Sequence, residues 1–311
     1  MTKKERVLAV MKKEQVDMIP AGFWFHYKSD YTVQQMIDEH MKLFRTTDMD
    51  IIKIMQDYPY PISGKITCAD DWYHIQVKGT DSEEFAKMAE IIRGIRKEAG
   101  KDVLIFQTMF GPFKAASMTF GDDVLMKYSK EAPEAVAAGV KIIADALEEW
   151  TKGYLEAGAD GIYYSAQFGE IGRFEKNEWE ELVRPYDLQI LKVAEEMPEK
   201  YNILHICGEP EYQFETHVEW FKNLINWSVK DNNFSLEQGR ELYSSAILGG
   251  MNNKGNVLNG SEDAIREEVK GILDAFGTKG IMIGADCTIQ GENISLDLIK
   301  TAVEAAHAYK K

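Results

Sequence analysis

The chain has 311 residues and a formal net charge of −15, with acidic residues spread along its whole length. That charge argues against nucleic acid or an anionic membrane surface as a partner, because both favour basic patches, and the length suits one α/β barrel, so we expect a single domain over residues 1–311. Three cysteines are too few for a disulfide framework and the odd number leaves at least one thiol free, which favours a reducing, cytoplasmic location.

The opening segment, MTKKERVLAVMKKEQ, carries charges within its only apolar patch. It therefore predicts neither a secretory signal nor a mitochondrial leader. Further along the chain, no apolar run approaches the about 20 residues that a membrane-spanning helix needs, so we expect no membrane span.

Apolar runs alternate with amphipathic, charged segments along the chain, which predicts a repeated order of strand and helix. The eight predicted strands are IPAGFWF from Ile19, DIIKIM from Asp50, DVLIFQTMF from Asp102, DGIYYS from Asp160, NILHIC from Asn202, LINWS from Leu224, AILGGM from Ala246 and IMIGAD from Ile281. Eight such units without a break in composition predict one closed parallel (β/α)8 TIM barrel, an α/β fold.

Segments whose apolar residues have helical spacing connect these strands, for example the segments that start at Ser82, Glu131 and Ser261. Several of these helices end in glycine just before the next strand, which is typical of a left-handed C-cap; these glycines are Gly100, Gly158 and Gly277. One segment breaks the pattern with prolines, glycines and alternating aromatic residues, from Tyr58 to Thr80. We interpret it as a hairpin inserted after the second strand.

A histidine and a cysteine stand two residues apart at the end of the fifth strand, in the run NILHICG. Side chains alternate along a strand, so His205 and Cys207 are expected to point the same way. In a barrel of this type the catalytic residues lie at the carboxyl ends of the strands. The alternative is a chance pair, with a histidine hydrogen-bonded in the core and a small buried thiol.

A second cysteine, Cys287, follows the eighth strand at the same rim of the barrel. Cysteine and histidine together suit zinc, and a catalytic zinc site keeps one position open beside about three protein ligands. His205, Cys207 and Cys287 would make that set. Because the fifth and eighth strands are not neighbours, at least one loop is expected to lean across the mouth. Cys68 lies in the predicted insert, away from any strand end, and is interpreted as structural.

A zinc ion that already holds two thiolates is a poor activator of water. It is better suited to binding an incoming thiol, which loses its proton on coordination and becomes a nucleophile at neutral pH. The predicted chemistry is therefore alkyl transfer to sulfur, catalysed by His205, Cys207 and Cys287 through the zinc ion.

Other polar or aromatic side chains lie near strand ends and are candidates for substrate binding: His26, Asp57, Gln107, Tyr163, Gln167, Asn226 and Asn252. Each is explained equally well as a loop cap, a core hydrogen-bond partner or a solvated side chain. Glu170 is a candidate for an additional metal ligand or a partner of a ligand, because its strand neighbours that of His205 and a histidine ligand needs an acceptor for its other nitrogen. Asp231 is the competing choice.

Several runs of the chain together resemble the uroporphyrinogen decarboxylase superfamily. They are ERVLAVMKKEQVDMIP at the start, FGPF at Phe110, GADGIYYS at Gly158, LHICG at Leu204 and GADCT at Gly284. Within that superfamily the chain is similar to the zinc methyltransferases that move a methyl group from a methylated corrinoid protein to a thiol such as coenzyme M. By this resemblance His205, Cys207 and Cys287 bind zinc, methylcobalamin is a co-substrate carried by a partner protein, and a small thiol is the acceptor.

The chain departs from the decarboxylases of the superfamily, which carry an arginine motif near the N-terminus for the carboxylates of a porphyrinogen. No arginine stands between Val7 and Phe44, so decarboxylation is the runner-up. A third alternative is a non-catalytic binding protein of a corrinoid pathway, with a structural zinc or none.

Overall fold

The computed structural model describes residues 1–208, 211–220, 223–291 and 293–310. The strands are β1 (Ala21–Gly22), β2 (Ile51–Ile54), β3 (Ile62–Ser63), β4 (Gln76–Val77), β5 (Leu104–Phe110), β6 (Gly161–Ala166), β7 (Ile203–Ile206), β8 (Leu224–Trp227), β9 (Ala246–Met251) and β10 (Ile281–Ala285). The helices are α1 (Lys3–Met11), α2 (Val33–Thr47), α3 (Glu83–Ala99), α4 (Pro112–Phe120), α5 (Asp122–Glu131), α6 (Pro133–Ala157), α7 (Lys176–Leu182), α8 (Arg184–Glu196), α9 (Val229–Asn232), α10 (Leu236–Leu242), α11 (Asn256–Asn259), α12 (Glu262–Phe276) and α13 (Leu296–Ala308), with 3₁₀ helices at Ala69–His74 and Phe214–His217.

Eight parallel strands form a nearly closed barrel, in the order β1, β10, β9, β8, β7, β6, β5, β2. The two ends of this sheet meet where the amide of Asp50 donates to the carbonyl of Ala21 at 2.8 Å. Every predicted strand overlaps one of these eight, so the predicted (β/α)8 barrel is confirmed. Among the helices in the described ranges, none is long and apolar enough to cross a membrane.

Alternation along the strands divides the core into two layers. One apolar cluster fills the barrel interior and includes Ile51, Phe106, Tyr163 and Ile203, while the other lies between the strands and the helices and includes Leu204. The same parity places His205, two residues after Ile203, on the inward face. The interior is therefore a packed core whose last layer carries the polar groups of the mouth.

The three helices end at the predicted glycines, although none of these glycines adopts the left-handed helical conformation. Gly100, Gly158 and Gly277 follow α3, α6 and α12 with φ of 74°, 122° and 92°. A side chain is strained at such angles, and glycine is not.

The predicted insertion is a pair of short antiparallel strands, β3 and β4, with Ile62 opposite Val77. A 3₁₀ helix lies between them, and its Trp72 is fully buried against α6, where a Cβ on Gly139 would lie 2.9 Å from the ring. The inserted hairpin is therefore confirmed, and it packs on the outside of the barrel.

Candidate metal centre

Three ligand-type side chains meet at the mouth of the barrel. The donor atoms of His205, Cys207 and Cys287 all lie within 4.8 Å of one another. His205 is the third residue of β7 and Cys207 follows that strand, while Cys287 lies two residues beyond β10. His205 points into the lumen, so its ring and the Cys287 thiol meet across the mouth although two strands separate β7 from β10.

The spacing of these donors fits a tetrahedral zinc ion. The Nε2 atom of His205 and the Sγ atom of Cys287 are 3.4 Å apart. Two such ligands on one tetrahedral zinc ion are about 3.5 Å apart for Zn–S and Zn–N bonds of about 2.3 and 2.0 Å. Two sulfurs and one imidazole nitrogen are also the ligand types that zinc prefers. No carboxylate belongs to this group among the residues that the structure describes.

The two thiols of the cluster differ in acidity. The hydrogen bond from Cys207, and then the charge and hydrogen bond of His205, lower the pKa of Cys287 to about 3, although burial opposes this change. The same contact with Cys287, together with burial, raises the pKa of Cys207. Deprotonation is therefore easier at Cys287 than at Cys207, and a cation that bound both sulfurs would release the proton of Cys207.

Neighbouring side chains fix the position of His205. The ring of Tyr163 lies 5.4 Å from the imidazole, centroid to centroid. The Tyr163 hydroxyl donates to Oδ1 of Asn226 at 2.8 Å, and the amide of Asn226 donates to the carbonyls of Leu248 and Ala285. Tyr163 and Asn226 thus join four strands beneath the cluster, while Nδ1 of His205 is buried without a hydrogen-bond partner.

Asp286 positions the segment that carries Cys287. Its buried carboxylate accepts hydrogen bonds from the amides of Gly250, Val229 and Lys230. Burial raises the pKa of this carboxyl to about 7, and the three amides oppose the rise.

We expect Asp286→Ala to weaken zinc binding by about 10- to 100-fold, the usual cost of losing a group that orients a ligand. Competition with a chromophoric chelator at pH 7 measures this change. The matched control is Asp263→Ala, which removes an exposed carboxylate from the first turn of α12. Equal zinc affinity in both variants would show that Asp286 does not position Cys287.

His26 and Asp57 form a pair on the same rim. Nδ1 of His26 lies 2.5 Å from Oδ1 of Asp57, and the amide of Tyr27 donates to Oδ2 at 2.8 Å. The His26 side chain is 56% exposed and that of Asp57 only 5%. The pair therefore presents an imidazole to solvent and holds its carboxylate within the wall.

The remaining predicted substrate contacts lie in different surroundings. The side chain of Gln107 points to the same face of β5 as those of Ile105 and Met109, which belong to the apolar cluster between the strands and the helices. Its amide donates to Gln56 and to the carbonyl of Thr108. It is fully buried there, so the structure places it away from the mouth. Gln167 donates to the Ser165 hydroxyl, and the Asn252 side chain accepts from the amide of Lys254 within its own turn.

Neither Glu170 nor Asp231 belongs to the cluster of donor atoms. A Cβ on Gly208 would lie 3.1 Å from Cγ of Glu170, so this side chain lies beside the residue that follows Cys207. Its Oε2 is buried without a hydrogen-bond partner, and burial raises its pKa. Asp231 instead accepts from the Ser228 hydroxyl and forms an ion pair of 3.0 Å with Lys254.

Lys53 is a buried lysine that is absent from the residues predicted from the sequence. It lies in β2 between Ile51 and Met55, on the inward face, and only 5% of the residue is exposed. A lysine within the apolar run IIKI was a usable signal, because a charged residue is rarely buried in a parallel barrel strand without a reason.

Comparisons with known proteins agree with this architecture. Residues 47–309 match the model of the uroporphyrinogen decarboxylase (URO-D) family. The methylcobamide:CoM methyltransferase MtbA of Methanosarcina acetivorans is 26% identical over 226 residues, which are 71% of this chain and 63% of that protein. The match therefore spans less than two thirds of that relative's length.

Solved structures share the fold at low sequence identity. A methyltransferase from Methanosarcina mazei is 18% identical with a TM-score of 0.78, and the match covers 98% of each chain. A putative vitamin-B12 independent methionine synthase from Listeria monocytogenes is 12% identical with a TM-score of 0.58, over 94% of this chain and 98% of that one.

Proposed function

The chain belongs to the uroporphyrinogen decarboxylase family, and we propose that it is a zinc-dependent methyltransferase that moves a methyl group from a methylated corrinoid to a thiol. The corrinoid would be methylcobalamin carried by a partner protein, and the acceptor a small thiol. The observation that carries this proposal is the convergence of His205, Cys207 and Cys287 on one point of the barrel mouth. The relative named methylcobamide:CoM methyltransferase supports the same reaction class.

His205, Cys207 and Cys287 would hold the zinc ion. When bound, the ion supplies the positive charge that keeps an acceptor thiol deprotonated at neutral pH. Three protein donors leave a fourth tetrahedral position for that thiol, which favours a catalytic centre over a closed structural one. The buried residues around the cluster, Tyr163 and Asn226, keep the imidazole in place.

The thiolate would attack the methyl carbon of the corrinoid. A carbon–sulfur bond forms, and the electron pair of the carbon–cobalt bond stays with cobalt, which is a good leaving group as cobalt(I). No protein acid or base is required for this displacement, so positioning and a deprotonated nucleophile are sufficient. The free state of all three cysteines suits the reducing cytoplasm that we propose as its location.

The sequence and the ion pairs of Arg6 support decarboxylation of a porphyrinogen less well than they support methyl transfer. Val7 to Phe44 contains no arginine for the substrate's carboxylates. Arg6, just before that segment, forms ion pairs with Asp17 and Asp50. Asp50 immediately precedes β2, so Arg6 lies at the opposite end of the barrel from the cluster.

Metal analysis with zinc X-ray absorption tests the proposal. We expect about one zinc ion per chain, bound by two sulfurs, and a third sulfur when the right acceptor is added from a panel of coenzyme M, homocysteine and 2-mercaptoethanol. The panel also identifies the acceptor. A protein that purifies without zinc and does not take it up, or a zinc environment that no thiol changes, would contradict the proposal.

A further inference from the structure

Lys53 is buried in the barrel interior without an opposite charge in contact. Its Nζ atom lies 2.9 Å from Sδ of Met55, 4.3 Å from the ring centroid of Tyr163 and 5.3 Å from that of Trp24. No carboxylate forms an ion pair with it in the part of the chain that the structure describes. Because a buried ammonium is costly without an anion in contact, these surroundings favour the neutral amine of Lys53 until a further negative charge forms nearby.

The anions that face Lys53 lie on the mouth side. Asp57, Cys287 and Cys207 each raise its pKa, while burial, the largest effect, lowers it to about 7. Asp57 already accepts from His26 and from the amide of Tyr27. The two sulfurs of the metal centre therefore act on Lys53 together with Asp57, whose effect is the largest of the three.

The other titratable groups near Lys53 carry no charge at neutral pH. His40 is fully occupied, since Nδ1 bonds the carbonyl of Met36 and Nε2 accepts from the amide of Met55. Burial lowers the pKa of His40 to about 4, and burial raises the pKa of Tyr163. Tyr163 is also the link to the cluster, because its ring contacts both Lys53 and His205.

We propose that Lys53 balances the charge of the metal centre by taking up the proton that the acceptor thiol loses when it binds there. This inference rests on the proposed function. A divalent cation held by two thiolates and a neutral imidazole carries no net charge, so a third thiolate adds one uncompensated negative charge to the interior. A protonated Lys53 offsets that charge.

The protons and electrons of this step balance within the protein. The S–H bond of the acceptor breaks and its electron pair stays on sulfur. The proton forms a new N–H bond on the neutral amine of Lys53, so no proton enters the solvent. When the methyl group has moved, the neutral thioether leaves and Lys53 releases its proton to the solvent, so one proton is liberated for each thiol methylated.

Proton release on thiol binding tests the inference in the zinc-loaded protein. At pH 8, above a pKa of about 7, the buried amine of Lys53 is expected to be largely neutral. Wild-type protein is therefore expected to release less than about 0.3 proton per thiol bound. Lys53→Met, which keeps the length and apolar stem of the side chain, is expected to release about one. A pH indicator in weak buffer measures the protons, and X-ray absorption counts the bound sulfurs.

The matched control is Lys200→Met, which removes a half-buried lysine that donates to Leu155 and Ala159 before β7, at the opposite end of the barrel. It is expected to behave as wild type. If Lys53→Met does not fold, wild-type protein alone decides. At pH 6, below a pKa of about 7, Lys53 is expected to be protonated before the thiol binds, so release is expected to rise towards one proton per thiol.

The outcomes separate this inference from the proposed function. Thiol binding with about one proton released from wild type at both pH 6 and pH 8 would overturn the role of Lys53 and leave the methyltransferase proposal intact. Failure of every thiol to reach the zinc ion would overturn both.

Discussion

Replacing Cys207 or Cys287 by alanine is expected to remove zinc from the protein and to abolish methyl transfer. Each substitution takes one of three donors from a centre whose atoms lie within 4.8 Å of one another. Loss of a partner that merely orients a ligand costs about 10- to 100-fold in metal affinity, so loss of a ligand is expected to cost more than about 100-fold. Zinc content after dialysis and the rate of thiol methylation by methylcobalamin measure the two effects.

The matched control is Cys68→Ala. Cys68 is an exposed thiol that precedes the 3₁₀ helix of the inserted hairpin, so this variant is expected to keep both zinc and activity. A Cys207→Ala or Cys287→Ala protein with full zinc and full methyl transfer would rule out the cluster as the catalytic centre. Circular dichroism separates loss of metal from loss of fold.

The barrel could be predicted because its strands are short apolar runs separated by charged, amphipathic segments, and each βα unit repeats the same local signals. The pairing of His205 with Cys207 followed from strand parity alone. Their contact with Cys287 depended on the closure of the barrel, which brings β10 and β7 to the same mouth. The expectation that a loop must lean across was incomplete, because the inward direction of His205 shortens the distance.

Local sequence patterns could not predict the surroundings of individual polar residues. Gln107 ends in the outer layer because β5 directs Leu104 and Phe106 inward, and the phase of that alternation is set by packing against the whole core. Lys53 was visible as a charge in an apolar run, but its neighbour Trp24 comes from the segment after β1 and its neighbour Tyr163 comes from β6. Their meeting depends on tertiary structure.

Asp50→Asn is expected to destabilise the protein by about 3 to 5 kcal/mol, the usual cost of removing one partner from a buried ion pair. The Asp50 carboxylate is fully buried and joins the two ends of the sheet. Its Oδ1 accepts from Arg6 at 2.6 Å, and its Oδ2 accepts from the amide of Ala21 at 2.9 Å and from His307 at 2.8 Å. In the asparagine variant, an NH2 group would replace one of the two accepting oxygens, so a donor would face the N–H groups that now donate to Asp50.

Urea unfolding at pH 7 measures this loss, and Asp48→Asn is the matched control. Asp48 stands two residues earlier with an exposed carboxylate, and asparagine tolerates its left-handed backbone, so its variant is expected to stay within about 0.5 kcal/mol of wild type. Equal unfolding midpoints for the two variants would show that Asp50 does not hold the barrel closed.

The pH dependence of stability distinguishes the charge of Asp50 from its shape. Burial alone would raise its pKa, but the hydrogen bond and charge of His307 and the amide of Ala21 lower it below the ordinary value. A carboxyl whose pKa is lower in the folded state stabilises the fold above its unfolded pKa of about 3.9 and loses that contribution as the pH falls through the folded value. The difference between wild type and Asp50→Asn is therefore expected to be full at pH 5 to 7 and to shrink below about pH 4. A difference that stays constant into acid would mean that Asp50 closes the barrel by packing and not by its charge.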